Sequence, residues 1–283
     1  MNELLKNCLS QTNLLARSQV IEKAVLPAAR ILKDLGEGRL GGSRLGGVPD
    51  VPAQFQWPQH HGSPLPFLAQ INFAELPPGI PWGSVPAEGL ALFFYDTDHQ
   101  PSGLDPADRG SARVILVRDA WSLVPAPMPA ALRQKQAVRP AFPLCFTVEP
   151  SLPAEGTLLQ EAMGLATSEL EDYADLWDML HEQLLPDQPR HQVLGHSHDL
   201  LGEMQWEAQL VTHDLYCGDA SGYNDPRAAA LEEGARDWRL LLQLDSDPDL
   251  GWEWGDAGLL FFWIREADLQ LGRLDQAWAI LQD

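Results

Sequence analysis

The densest group of chemistry-bearing residues runs Asp245-Ser246-Asp247-Pro248-Asp249-Leu250-Gly251-Trp252-Glu253-Trp254-Gly255-Asp256. Carboxylates at alternate positions of a turn can converge on one hard cation, so Asp245, Asp247, Asp249 and Asp256 are the candidate ligands for a divalent ion. The match to a calcium loop is imperfect, because Leu250 stands where such a loop needs its sixth-position Gly and Asp256 where it needs a bidentate Glu. The competing reading is structural: Asp245 and Asp256 cap turns between two strands, Gly255 and Gly258 supply positive φ, and Trp254 packs beneath. Exposed among these carboxylates, Trp252 or Trp254 would suit capture of Arg or Lys side chains through cation–π contact.

A second group, His191, His196, His198 and Asp199 with His213-Asp214, has ligand chemistry for zinc but the spacing of no metalloenzyme signature. His60-His61 reads as exposed loop. Nucleophilic catalysis finds no Gly-x-Ser-x-Gly elbow, and Cys217 near His213 and Asp219 is a loose grouping. The glycine-rich stretch Gly41-Gly42-Ser43-Arg44-Leu45-Gly46-Gly47 lacks the Lys-Ser/Thr of a phosphate loop, so it reads as tight turns, with Arg44 paired to a carboxylate of the second half. No catalytic residue is assigned and no cofactor is expected; a divalent cation at the Asp loop is the alternative.

These residues sit in a chain of 283 residues, long enough for one large domain or two joined ones. It is 45% hydrophobic and 21% charged, a folded composition, and no apolar run reaches the roughly 18 residues of a membrane span. Residues 1–150 carry 13 basic and 13 acidic side chains, whereas residues 151–283 carry 6 and 27, which places the whole net charge of −21 in the second half. That field repels a phosphate backbone, which excludes nucleic acid as the general partner and favours a basic protein, steered by charge. A merely solubilising surface is the plain alternative. Three scattered cysteines, Cys8, Cys145 and Cys217, form no disulfide framework, and with no apolar leader in Met1–Asn13 the expected compartment is cytoplasmic.

The positioning elements follow from periodicity. Residues 3–35 place apolar side chains at three-to-four spacing, which predicts helix, broken at Pro27 or restarted there and running to Leu35. Phe67–Phe73, Leu90–Tyr95 and Val114–Val117 read as strands of an antiparallel sheet, as do Trp238–Leu244 and Leu259–Ile264. Ser168-Glu169-Leu170-Glu171 predicts a capping box opening a helix that Pro186 stops, Asp225-Pro226 opens a short helix ended by Gly234, and a last helix is expected over Gln276–Leu281. An internal echo links Gln70 to Gln243, 173 residues apart, and Phe93 to Phe261, 168 apart, which points to two related strand-loop-strand units about an approximate twofold.

The set Ser43-Arg44-Leu45-Gly46-Gly47-Val48-Pro49, Trp57-Pro58, Pro66-Phe67-Leu68-Ala69-Gln70-Ile71-Asn72, Leu242-Gln243-Leu244-Asp245-Ser246-Asp247 and Trp254-Gly255-Asp256-Ala257-Gly258, in this order, resembles the YwqG-like family of uncharacterised bacterial proteins. The resemblance spans about Ala28 to the C-terminus. It implies a cytoplasmic α+β protein with no established reaction, and relatives encoded beside secreted toxins make immunity its most concrete functional implication. The chain departs from the pattern near Gly195-His196-Ser197, where a second Gly-Gly-like turn is expected.

The expectation is therefore an α+β fold with an antiparallel β-rich core of two related halves. An N-terminal helical segment (1–36) precedes one domain (37–283) whose halves are about 37–150 and 151–283. The expected function is non-catalytic binding of a basic partner, an immunity-type inhibitor of a nuclease-like toxin being the sharpest form. The competing class is an enzyme or sensor built on the Asp245–Asp256 loop. The candidate binding residues are Arg44, Gln70, Gln243, Asp245, Asp247, Trp252, Trp254 and Asp256. Oligomeric state is left open.

Overall fold

The computed structural model describes residues 2–78, 86, 88–118, 122–134, 139–184 and 188–283. Helix α1 (Glu3–Leu9) is capped by the Asn2 side chain, which accepts from the Leu4 N–H, and α2 (Ser18–Ala24) follows a 3-10 turn. The helix expected beyond Pro27 is instead a strand, β1 (Leu26–Lys33). Proline removes a donor and biases Leu26 to extended backbone, and the apolar run that follows pairs on both edges of a sheet, which a short run's periodicity cannot foretell.

Nine further strands join it: β2 (Arg44–Leu45), β3 (Phe67–Asn72), β4 (Leu90–Tyr95), β5 (Ala112–Val117), β6 (Phe142–Ser151), β7 (Gln192–Val193), β8 (Trp238–Asp245), β9 (Leu259–Arg265) and β10 (Trp278–Gln282). The order across this antiparallel sheet is β10-β9-β8-β7-β1-β6-β2-β3-β4-β5. Its edge strands β5 and β10 approach each other and nearly close a barrel. The loop after β4 stitches the seam: the Leu281 N–H donates to Ser102 O at 3.0 Å and Trp278 Nε1 to Gly103 O at 2.8 Å. β10 replaces the helix expected over Gln276–Leu281; its alternating residues face two different apolar layers, so all of Trp278–Gln282 is buried.

The order reads the same from either end once each strand is exchanged for its counterpart, β1 for β6, β2 for β7, and so outward. The axis passes between Leu32 and Cys145, which are directly opposed across β1 and β6. Ala29 pairs with Val193 as Phe142 pairs with Leu45, so Ala29 and Phe142 are counterparts, as are Leu45 and Val193. Strands β3 and β8 are bulged at equivalent places, between Phe67 and Ala69 and between Leu240 and Leu242. Because Gln70 pairs with Leu92 and Gln243 with Phe261, the counterpart of Phe93 is Phe262, one residue past the one expected from sequence. The two rings meet edge to face, centroids 5.1 Å apart.

Each repeat thus begins with a central strand. β1 belongs to the first repeat although it lies within the expected helical segment, and β6 belongs to the second although all but its last residue lies before residue 151. The barrel interior is filled by Ile31, Phe93, Trp254 and Phe262 among others. Outside, α4 (Met204–Val211) and α5 (Ala228–Ala235) accompany the apolar layer on β8–β10, while α1, α2 and α3 (Leu170–Gln183) form a satellite cluster around Leu9, Tyr173 and Leu176. The carboxylate of Glu169 accepts from the Ala166 N–H at 2.7 Å and from Arg17, so capping occurs two residues before the expected box. Pro186, expected to stop α3, lies outside the described residues.

Candidate functional site

Gln70 and Gln243 are fully buried and do the same work in each repeat. Gln70 Oε1 accepts from the Asp50 N–H at 2.8 Å and Nε2 donates to Gly42 O at 2.7 Å; Gln243 Oε1 accepts from the His198 N–H at 2.9 Å and Nε2 donates to Arg190 O at 2.7 Å. Each clamps the segment around a tight turn. In the first repeat that turn is Gly46-Gly47, both at positive φ; in the second it is Leu194-Gly195, with φ of 60° and 76°. The second glycine-like turn is therefore present one residue before the expected place, with Leu194 in a left-handed conformation. Arg44 donates to Val48 O at 2.7 Å and pairs with Asp50 at 2.5 Å, a carboxylate of its own half rather than of the second. Its counterpart Gln192 donates to His196 O at 2.8 Å.

The Asp loop closes over the other end of β1. Lys33 Nζ lies 2.8 Å from Asp247 Oδ2 and 2.5 Å from Asp249 Oδ2. His191 Nδ1 accepts from the Asp245 N–H at 3.0 Å, so its proton sits on Nε2, which donates to Asp247 Oδ2 at 3.1 Å. Burial holds His191 neutral by lowering its pKa against the pull of Asp247. Burial raises the Asp247 pKa, but hydrogen bonds from His191 and Lys33 outweigh it and set the carboxyl at about 2. Asp245 accepts from the Arg190 N–H at 2.7 Å, and exposed Asp256 donates its own N–H to Asp283. Asp247 and Asp249 thus share the Lys33 ammonium, while the Asp245 carboxylate is turned to the Arg190 backbone. Among the described residues no three His, Cys, Asp or Glu side chains converge to hold a metal, and an ammonium already neutralises Asp247.

Trp252 and Trp254 are buried at 4% and 1% exposure, which removes them from any surface that could capture a basic side chain. Trp254 is packed beneath the turn as the structural reading expects, its Nε1 donating to Asp245 O at 3.1 Å, but the Asp245 side chain accepts from the Arg190 N–H rather than capping that turn. The histidines have separate partners. His196 Nε2 donates to Ala24 O, His213 Nδ1 hydrogen-bonds Gln209 O, and His198 stacks on Trp177 at 4.6 Å beside Arg190. His60 sits on a small hairpin with its Nδ1 3.3 Å from Asp96.

Sequence reasoning missed two features. Asp199, Glu203 and Glu207, spaced four apart, form a trio in which burial pushes each pKa up to about 7. Among the described residues, Asp199 Oδ1, Glu203 Oε1 and Glu207 Oε2 are buried with no hydrogen-bond partner. The spacing was visible; burial was not. The second feature is a stripe on α3: Glu171, Asp175, Asp178 and Glu182 are all exposed and share the face opposite Tyr173, Leu176 and Leu180. It is about 16 Å long at 1.5 Å per residue.

One family, described as Domain of unknown function (DUF1963), has a sequence profile that matches residues 43–282. The chain belongs to this family. The DUF1963 match starts at Ser43, so the central strand β1 and its Lys33 precede the matched region that they complete. A search of curated proteins finds no match. Among the described residues no helix is long and apolar enough to cross a membrane.

Proposed function

We propose that this DUF1963 chain is a non-catalytic binding protein that engages a basic protein through the acidic face of its second half. One observation carries the reading. The α3 stripe presents four exposed carboxylates in a half holding 27 acidic and 6 basic residues, and none of the four is paired with Lys or Arg among the described residues. The helix is anchored independently of the stripe, by Arg17 on Glu169 at 2.8 Å and Asn13 on Asp172 at 3.0 Å, so the carboxylates are free to meet a partner on a preset scaffold. Such a face raises association rate more than affinity. The most specific form is a YwqG-like bacterial immunity protein, in the cytoplasm, that masks the nucleic-acid-binding surface of a basic toxin. The motif set of residues 43–72 and 242–258 supports that assignment. The Asp245–Asp256 loop offers the rival ion-site reading little, since its buried carboxylate is committed to Lys33 and His191.

The test is capture from native-host lysate at low salt on two columns, one of wild-type protein and one of the Glu171→Lys/Asp175→Lys/Asp178→Lys/Glu182→Lys variant. A single basic protein held stoichiometrically by the first, released as salt shortens the screening length below about 8 Å, and not held by the second is the expected result. Equal retention on both columns, or none on either, overturns the reading.

A further inference from the structure

A cavity of about 340 Å³ lies at the barrel seam, where the starts of β5 and β10 meet the end of β9 and the residues that follow α4. Strand register sets its floor. Trp238 is directly opposite Arg265 across β8 and β9, and Trp263 is opposite Trp278 across β9 and β10. Alternation along β9 therefore puts Arg265 on the outer apolar face with these three indoles. The Arg265 guanidinium rests over the Trp238 ring, 4.9 Å from its centroid, and that of Arg109 over the Trp278 ring at 5.5 Å. A third guanidinium, of Arg113, lies against Gly110, its Nη2 3.2 Å from where a Cβ would stand. Trp238, Trp278, Gly110 and the three arginines all line the cavity, Arg109 and Arg113 exposed and Arg265 half-buried, so these groups are open to a ligand.

The donors of this wall are in surplus. The chain holds 40 acidic residues against 19 basic, yet neither Arg113 nor Arg265 has a carboxylate partner or a hydrogen-bond acceptor among the described residues. Arg109 makes two long contacts, to Thr212 O at 3.4 Å and to Asp214 at 3.6 Å. The carboxylates of the wall are met from elsewhere. Asp108 accepts from the Gly103 N–H at 3.0 Å, Asp268 pairs with Arg273 at 2.6 Å, and Asp275 accepts from Gln276 Nε2 at 2.9 Å. Burial also raises the Asp108 pKa, which weakens its charge. A cation entering here meets three guanidiniums and carboxylates already engaged, whereas an oxyanion meets planar N–H forks with nothing to donate to.

We infer that this cavity binds a small organic oxyanion, a carboxylate or a phosphate ester, whose oxygens accept from the guanidiniums of Arg113 and Arg265 while Arg109 adds a third positive charge. No residue of α3 lines the cavity, so the inference stands apart from the acidic stripe and its basic partner. Binding is reversible and involves no covalent step.

Benzoate and phenyl phosphate serve as probes in titration calorimetry at low salt, with benzylamine as the cation of similar body. At least one anion is expected to bind saturably, one per chain, and benzylamine is not. The tighter of the two anions distinguishes a carboxylate ligand from a phosphate ester. Arg265→Met, which keeps an apolar stem over Trp238, should weaken that anion about tenfold or more, the worth of one charge-assisted hydrogen bond. Arg265→Lys keeps the charge but loses the fork, and should recover only part of the loss. Arg113→Met should weaken binding similarly, and as a change at an exposed residue it keeps the test decisive if Arg265→Met does not fold. Arg227→Met, at an exposed arginine paired with Asp225 away from the cavity, should bind as wild type does. No saturable heat from either anion at millimolar concentration, benzylamine binding as tightly as the anions, or undiminished affinity in Arg113→Met and Arg265→Met would overturn the inference. An equal loss in Arg227→Met would also overturn it, by showing diffuse attraction only.

Discussion

Lys33 and Asp247, 214 residues apart, form a partly to fully buried ion pair at 2.8 Å that ties the central strand to the loop between β8 and β9. Removing the cation leaves a carboxylate 1% exposed with, among the described residues, only His191 and the Asp249 N–H donating to it. Lys33→Met is expected to cost about 3–5 kcal/mol in urea unfolding, the usual consequence of stranding one buried charge. The double variant Lys33→Met/Asp247→Asn should recover much of that loss. A single variant as stable as wild type would show that the pair contributes nothing.

Stability should be nearly level with pH between 4.5 and 6.5, where unfolded Glu and unfolded His titrate, because two opposed sets of groups act there. The folded pKa of His181 and His196 is lowered to about 4, that of His198 to about 2, and that of His191 is lowered too, all by burial. The unfolded chain binds more protons at these sites, so they make stability rise with pH across the window. Asp199, Glu203 and Glu207 are raised to about 7, so the folded chain binds more protons there and stability falls as pH rises. Glu203→Gln/Glu207→Gln should unmask the histidine slope. Its urea midpoint should match wild type near pH 4.5, climb with pH, and exceed wild type at pH 8; parallel profiles for the two proteins would contradict this assignment. Below pH 3.8 Asp247 adds a further loss as pH falls toward its folded value of about 2.

The two glutamine clamps give a matched pair of substitutions. Gln243→Leu strands the His198 N–H and the Arg190 carbonyl, at about 1–3 kcal/mol for each group left unsatisfied. Gln70→Leu should cost more, since Gln70 also meets Asp50 Oδ2 at 2.9 Å and Arg44 at 3.2 Å. Equilibrium unfolding of both variants checks the ranking, which reverses if the second repeat alone depends on its clamp.

Glycine at the second turn is required by contact as well as by backbone. Gly195 and Gly156 share a φ of 76° and 75°, but a Cβ at Gly195 would come 2.6 Å from Ala28 Cβ, whereas one at Gly156 would meet nothing within 4 Å. Gly156→Ala should cost only the left-handed strain of about 1–2 kcal/mol. Gly195→Ala should cost distinctly more, with the sheet loosened at β1, and equal thermal shifts for the two would show that the contact relaxes freely.

What could be read from the chain alone was local or repetitive. Strands β3, β4, β8 and β9 follow from short apolar runs, α3 from its single apolar stripe, and the twofold from two echoed segments, because those signals lie within a few residues or recur intact. The charge split likewise needs only counting. Tertiary structure decided the rest. β1 carries no pattern distinguishing it from helix, and it becomes the centre of the sheet because β6 and β7, more than a hundred residues on, supply its hydrogen-bond partners. The same holds for Asp247: alternate carboxylates suggest a cation, and the cation is Lys33, brought by strand order rather than by sequence proximity. Burial set the remaining roles, turning Trp252 and Trp254 into core, Gln70 and Gln243 into clamps, and an ordinary four-residue acidic spacing into three carboxyls that hold protons near neutrality. Each of these depends on what distant segments exclude water from a side chain, and periodicity carries no record of that.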